Sequence, residues 1–137
     1  MTGRGSLARR LEKLDEYLEF LGRYRGIGLD EFRSDELVSA AVERKLHLAI
    51  ECVLDIGAEL IASKGLREPG SYRDVILILG EAGVLPQEFA SAFARVAGFR
   101  NVLVHDYAEV KPELVHRQLR EGLGDLERFR DIIAGQL

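Results

Sequence analysis

Apolar positions recur at steps of three and four along nearly the whole chain. Leu7, Leu11, Leu14, Leu18 and Leu21 form the first such stripe, the spacing that lines side chains up on one face of an α-helix. The segment "GRYRGIGLD" ends it with three glycines. Ser34, followed by Asp35 and Glu36, has the form of an N-cap with acidic residues in the positive first turn. From there to about Ser63 only Gly57 interrupts, and Leu46, Ala49, Ile50, Val53, Ile56, Leu60 and Ile61 face one way. At about 1.5 Å per residue this second helix is roughly 43 Å long, a length suited to the spine of a bundle or to a dimer contact.

"KGLREPGSY" punctuates the pattern again. Ser71 with Asp74 three residues on resembles a capping box, with Asp in the place of the usual Glu. The spacing predicts a short third helix over Tyr72–Glu81, ending at Gly83. Pro86 suits the first position of a fourth, which carries Phe89, Phe93 and Val96 inward until Gly98. Pro112 opens the last helix, where Val115, Leu119, Leu123, Leu126, Phe129 and Ile133 again recur at three and four. No strand-like alternation, internal repeat, low-complexity tract or dividing linker breaks the run. The prediction is a single domain, residues 1–137, folded as an all-α up-and-down antiparallel bundle of about five helices.

Composition adds limits to that picture. A chain of 137 residues, 47% hydrophobic and 31% charged, closes a core without disulfide or metal staples. Cys52 has no second cysteine to pair with and, inside "LAIECVLDIG", reads as a buried thiol. With no apolar run of about 18 residues and no basic-then-apolar leader, the chain is expected to be cytoplasmic and to span no membrane. A net charge of −4 opposes indiscriminate attraction to nucleic acid, so an RNA partner needs a local basic cleft. Only four of the 19 basic residues are lysines. Arginine suits bidentate phosphate contacts, and it suits a salt-bridged helix surface equally well.

Chemistry concentrates in "FRNVLVHDYAEV", Phe99–Val110, where five polar groups interleave with Val102, Leu103 and Val104. Asn101 and His105 are four apart and share a face on a helix. Arg100 and His105 are five apart, about 140° around a regular helix. Their convergence needs a distorted helix, a long arginine reaching round, or a second subunit. His105 and Tyr107 diverge on a helix but align on an extended segment, and Pro112 calls for a non-helical stretch before it. A histidine is the natural proton carrier at neutral pH, and an arginine beside it offers permanent charge to a phosphate. The bland alternative has Arg100 capping a helix C-terminus and His105 in a routine hydrogen bond.

His47, His105 and His116 are far apart in sequence, and neither an H-E-x-x-H motif, a Cys/His cluster nor a paired-carboxylate motif occurs. Metal-free phosphoryl chemistry without a cofactor fits these residues, with RNA able to supply its own nucleophile through the 2′-OH, and the bland alternative stays open beside it. Among the remaining candidates, His47 on the long helix reads as a partly buried structural histidine. Glu43 and Glu51 are placed to approach the motif across the bundle, although helix surfaces commonly carry such charges. Tyr72 reads as a core or staple residue, and His116 as surface.

"RNVLVHDY" has the form R-x-x-x-x-H-x-Y with asparagine directly after the arginine. It resembles the signature of the HEPN superfamily (higher eukaryotes and prokaryotes nucleotide-binding), in its HepT-type toxin branch. "RKLHLAIECVLDIGAELIAS", "SYRDVILILGEAGVLP" and "PELVHRQLREGLGDLERF" resemble successive helices of that family, so the similarity runs from roughly Leu37 to Phe129. The resemblance implies a helical homodimer whose two motif segments line a shared cleft. It implies a metal-independent endoribonuclease of a type VII toxin–antitoxin system, partnered by a minimal nucleotidyltransferase antitoxin, with RNA rather than DNA as substrate. Arg100 then stabilises charge on the scissile phosphate, His105 serves as general base or acid, and Asn101 orients the site. The implied product is a 2′,3′-cyclic phosphate. Tyr107 matches the tyrosine that the antitoxin modifies with AMP, and Asp106 falls at a variable position, facing solvent or partnering His105. The alternatives are a non-catalytic module that docks a nucleotidyltransferase, and a purely structural helical dimer.

Overall fold

The apolar face from Leu46 to Ile61 is the axis of the fold. The computed structural model describes residues 3–105 and 111–137, apart from the side chains of residues 3, 4, 104 and 105. Those residues form six helices: α1 (Gly3–Arg23), α2 (Leu29–Ser34), α3 (Glu36–Ser63), α4 (Tyr72–Glu81), α5 (Gln87–His105) and α6 (Pro112–Ala134). The 28-residue α3 touches each of the others. The all-α bundle is therefore as expected, with one helix more than the periodicity predicts. The extra element is α2, six residues long and too short to display a helical period. What holds it is Phe32, fully buried between α3 and α6.

Charge and ring contacts give the helix directions. Arg10, near the start of α1, pairs with Asp55 and Glu59 late in α3, at 3.2 and 3.6 Å. Lys45, early in α3, lies over the rings of Tyr17 and Phe20, late in α1, at 5.5 Å from each. The two helices are antiparallel. Phe93 near the start of α5 stacks on Phe129 near the end of α6 at 5.3 Å, so these run antiparallel too. Every member of the predicted α1, α3, α5 and α6 stripes is buried, each Leu, Ile, Val or Phe among them contributing about 1.5–3 kcal/mol relative to exposure.

Three boundaries differ from the sequence reading. The cap of α3 is Asp35, whose Oδ1 accepts from the Val38 N–H at 3.0 Å. Ser34 is instead the last residue of α2, its hydroxyl donating to the Glu31 carbonyl. Pro86 stands one residue before α5, its carbonyl accepting from the Ala90 N–H at 2.9 Å. Most consequentially, α5 does not stop at Gly98 but continues to His105. A mid-helix glycine costs only about 1 kcal/mol, and the buried Val96 and Ala97 with Leu103 packed on the core outweigh it.

The cap of α4 matches expectation. Ser71 Oγ accepts from the Asp74 N–H at 3.1 Å, while Asp74 Oδ2 accepts from the Gly70 N–H at 2.9 Å, one residue further back than in a reciprocal box. Two glycines set close helix approaches. A Cβ on Gly57 of α3 meets Val75 Cγ1 at 2.5 Å, and one on Gly80 of α4 meets Ala90 Cβ of α5 at 2.6 Å. These contacts seat α4 and α5 against the spine, and so bring Tyr72 and Arg100 to it.

Candidate active site

Because α5 is continuous through His105, Arg100 and Asn101 project from successive positions of one helix, about 100° apart. Asn101 is exposed. Arg100 turns inward: its side chain is only 14% exposed, and its Nε donates to Oε1 of Glu51 on α3 at 2.7 Å. Its guanidinium carbon lies 4.3 Å from the centre of the Tyr72 ring at the start of α4. Three helices thus meet on one cation. The imidazole of His105, and Asp106 and Tyr107 altogether, lie outside the described residues.

The α3 side of this junction is a polar stripe. Glu43, His47 and Glu51 follow at steps of four and share a helix face. His47 Nε2 lies 3.3 Å from the same Glu51 Oε1 that Arg100 uses. His47 Nδ1 lies 3.3 Å from Nη1 of Arg44. The ring is thus held between a guanidinium at Nδ1 and a carboxylate at Nε2. Burial pushes the Glu43 carboxyl above its ordinary range, an effect that His47 offsets in part.

Hydrogen bonds to charged groups contribute about 1.5–3 kcal/mol each, and a cation over an aromatic face about 0.5–2 kcal/mol. Arg100 therefore has an orientation set by its neighbours, not by its own flexible stem. It supplies a fixed positive charge at a partly desolvated position beside Asn101, an arrangement that can receive an anion such as a phosphodiester.

Several residues stand elsewhere than the sequence suggested. Tyr72 is 42% exposed, not core, its ring covered by Arg100 rather than by apolar packing. His47 is half-buried as expected, yet it belongs to the Arg100 junction. His116 is no surface residue: it is 7% exposed, Nε2 donates to the Ile27 carbonyl at 2.7 Å, and Phe32 lies beside the ring at 5.5 Å. The short helix α2 covers it. Cys52 is half-buried rather than enclosed, its thiol pushed up to about 11 by burial and, next, by the charge of Asp55. No helix among the described residues is long and apolar enough to cross a membrane.

The model of the ribonuclease HepT-like family matches residues 14–133. This chain belongs to the ribonuclease HepT-like family. It is 32% identical over 108 residues to the tRNA nuclease HepT of Aphanizomenon flos-aquae, covering 77% of this chain and 72% of that protein. It is 27% identical over 106 residues to the mRNA nuclease HepT of Shewanella oneidensis, covering 77% and 80%. In fold it is similar to the tri-AMPylated HEPN toxin of Shewanella oneidensis, solved in complex with an MNT antitoxin. That likeness has a TM-score of 0.82 at 24% identity, over 94% of this chain and 96% of the other. The HepT-type resemblance read from "RNVLVHDY" is thus established at the level of family and fold.

Proposed function

We propose that this protein is a metal-independent endoribonuclease toxin, acting through Arg100, Asn101 and His105 and silenced by AMP transfer to Tyr107 from a nucleotidyltransferase antitoxin. The observation that carries the reading is Arg100, a motif arginine held in one orientation by Glu51 and Tyr72 at a partly desolvated position. Family membership and the relatives' names, a tRNA nuclease and an mRNA nuclease, support RNA as the substrate class.

In this mechanism the 2′-oxygen of a ribose attacks the adjacent phosphorus, and the bond from phosphorus to the 5′-oxygen of the next nucleotide breaks. One proton leaves the 2′-hydroxyl and one must reach the departing 5′-oxygen. A His105 imidazole performs one of these transfers, and in a homodimer a second copy of the chain brings another His105 to the shared cleft for the other. Arg100 neutralises charge that builds on the non-bridging oxygens. Asn101, exposed one position along, orients the phosphate or the 2′-hydroxyl. The products are a 2′,3′-cyclic phosphate and a 5′-hydroxyl. An AMP group on Tyr107 adds a bulky anion two residues from His105, which blocks the cleft and repels the RNA backbone.

The test is RNA cleavage in chelator by the wild type, Arg100→Ala and His105→Ala, with dimer formation followed in parallel. Both variants are expected to remain dimeric and to lose at least 100-fold in rate, the loss typical of removing a positioned charge or proton carrier. Wild-type cleavage by His105→Ala rejects the mechanism. Co-expression with an active nucleotidyltransferase is expected to raise the intact mass by whole AMP units in the wild type and not in Tyr107→Phe.

A further inference from the structure

Arg100 is held by two groups that the R-x-x-x-x-H-x-Y motif does not contain, and each comes from a different helix. Glu51 of α3 takes the Nε edge of the guanidinium at 2.7 Å. Tyr72, the first residue of α4, offers its ring to the guanidinium at 4.3 Å. We propose that Glu51 and Tyr72 are positioning residues that fix the edge and plane of the Arg100 guanidinium, so that it meets an RNA phosphate in a single orientation. The proposal rests on the assignment of Arg100 as the phosphate-binding cation.

An arginine side chain is long and flexible, and a small misplacement of a catalytic group is enough to cost about 100-fold in rate. The carboxylate of Glu51 also receives His47 at 3.3 Å, which is itself tied to Arg44, so Glu51 is anchored along α3 while it holds Arg100. Its negative charge disfavours a nearby phosphate. What it contributes is direction rather than affinity, and that separates it from a group that merely binds RNA.

The experiment compares Glu51→Gln, Glu51→Ala, Tyr72→Phe and Tyr72→Ala in RNA cleavage, each also made in the Arg100→Ala background. A ¹⁵Nε–¹H spectrum of the arginines reads the free protein. Gln keeps an oxygen for Nε and Phe keeps the ring, so both are expected to hold kcat within about threefold of wild type. Gln, having lost the charge, should lower KM. Glu51→Ala is expected to lose at least 10-fold in kcat with the smaller change in KM, and Tyr72→Ala somewhat less. Neither Ala variant should lower the rate further once Arg100 is Ala. The Arg100 Nε resonance should survive in Glu51→Gln and shift or broaden in Glu51→Ala.

Unchanged kcat in Glu51→Ala and Tyr72→Ala, with Arg100→Ala inactive, overturns the positioning role and leaves the Arg100 assignment standing. Loss in Glu51→Gln equal to that in Glu51→Ala also overturns it, since Glu51 then acts through its charge or as a proton carrier. So does an Arg100 resonance indifferent to Glu51→Ala. Full activity in Arg100→Ala instead brings down the assignment beneath.

Discussion

Arg100 and Glu51 are 49 residues apart in the chain and joined by a 2.7 Å hydrogen bond. That bond ties the motif of α5 to the middle of the spine helix α3, beside residues that are fully buried. Ala49 and Ile50, immediately before Glu51, are 0% exposed. A shift of α5 along α3 therefore moves the guanidinium, and the packing of α4 and α5 on the spine sets where it stands.

The packing of that corner is tested with glycines. Gly80 leaves room for Ala90 where α4 crosses α5, and a Cβ there arrives 2.6 Å from another Cβ that has nowhere to turn. Gly80→Ala is expected to destabilise the fold by about 1–3 kcal/mol. At Gly122 of α6 the nearest obstacle is the flexible end of Gln118, which swings away. Gly122→Ala is expected to be neutral or to stabilise by up to about 1 kcal/mol through helix propensity. Thermal or urea unfolding should show a loss for Gly80→Ala and none for Gly122→Ala; equal losses would contradict the crossing geometry.

Arg67, in the α3–α4 connection, clasps two carboxylates: its nitrogens reach both oxygens of Asp74 at 2.8 Å and both of Glu81 at 3.0 and 2.8 Å. The clasp holds both carboxyls below their ordinary values. A carboxyl depressed in the folded state adds stability above its unfolded pKa, and that stability fades as the pH falls through the folded value. Arg67→Ala is thus expected to lower Tm at pH 7 modestly. The difference from wild type should shrink on acidification below about pH 4 and also in high salt, since the group is exposed. A difference that grows on acidification contradicts the assignment.

Cys52 has a thiol pushed up to about 11, first by burial and then by Asp55. Its thiolate is therefore scarce at neutral pH. Alkylation of the native protein at pH 7.5 is expected to be at least 10-fold slower than that of the unfolded chain, and to accelerate steadily as the pH is raised toward 10. Equal rates for the native and unfolded protein would place the thiol in free solvent.

The parts of this structure legible in the sequence are those with a repeating signal. The Leu7–Leu21 and Val115–Ile133 stripes are read directly because every third or fourth side chain is buried. Ser71 is recognised because a cap acts within three residues of itself. Six-residue α2 escapes because one turn and a half has no period, and with it goes His116, which looks like surface until Phe32 is laid over it. Ser34 and Asp35 are adjacent cap formers, and only the end of α2 decides between them. Gly98 looks like a stop because the packing that carries α5 past it comes from other helices. The motif announces Arg100 and Asn101 by itself, whereas Glu51 and Tyr72 join the junction only through tertiary contact. The local hint is the stripe Glu43, His47 and Glu51, at steps of four along α3.

In the proposed reaction RNA supplies the nucleophile, and the protein supplies charge and proton transfer. This is tested most directly with one RNA oligonucleotide in two forms, all-ribose and with a single 2′-deoxyribose at the mapped cleavage position, both incubated with the wild-type protein in chelator. The ribose form is expected to be cut to a 2′,3′-cyclic phosphate and a 5′-hydroxyl, and the substituted form to stay intact at that position. Cleavage of the 2′-deoxy linkage, or a 5′-phosphate on the product, would contradict the account.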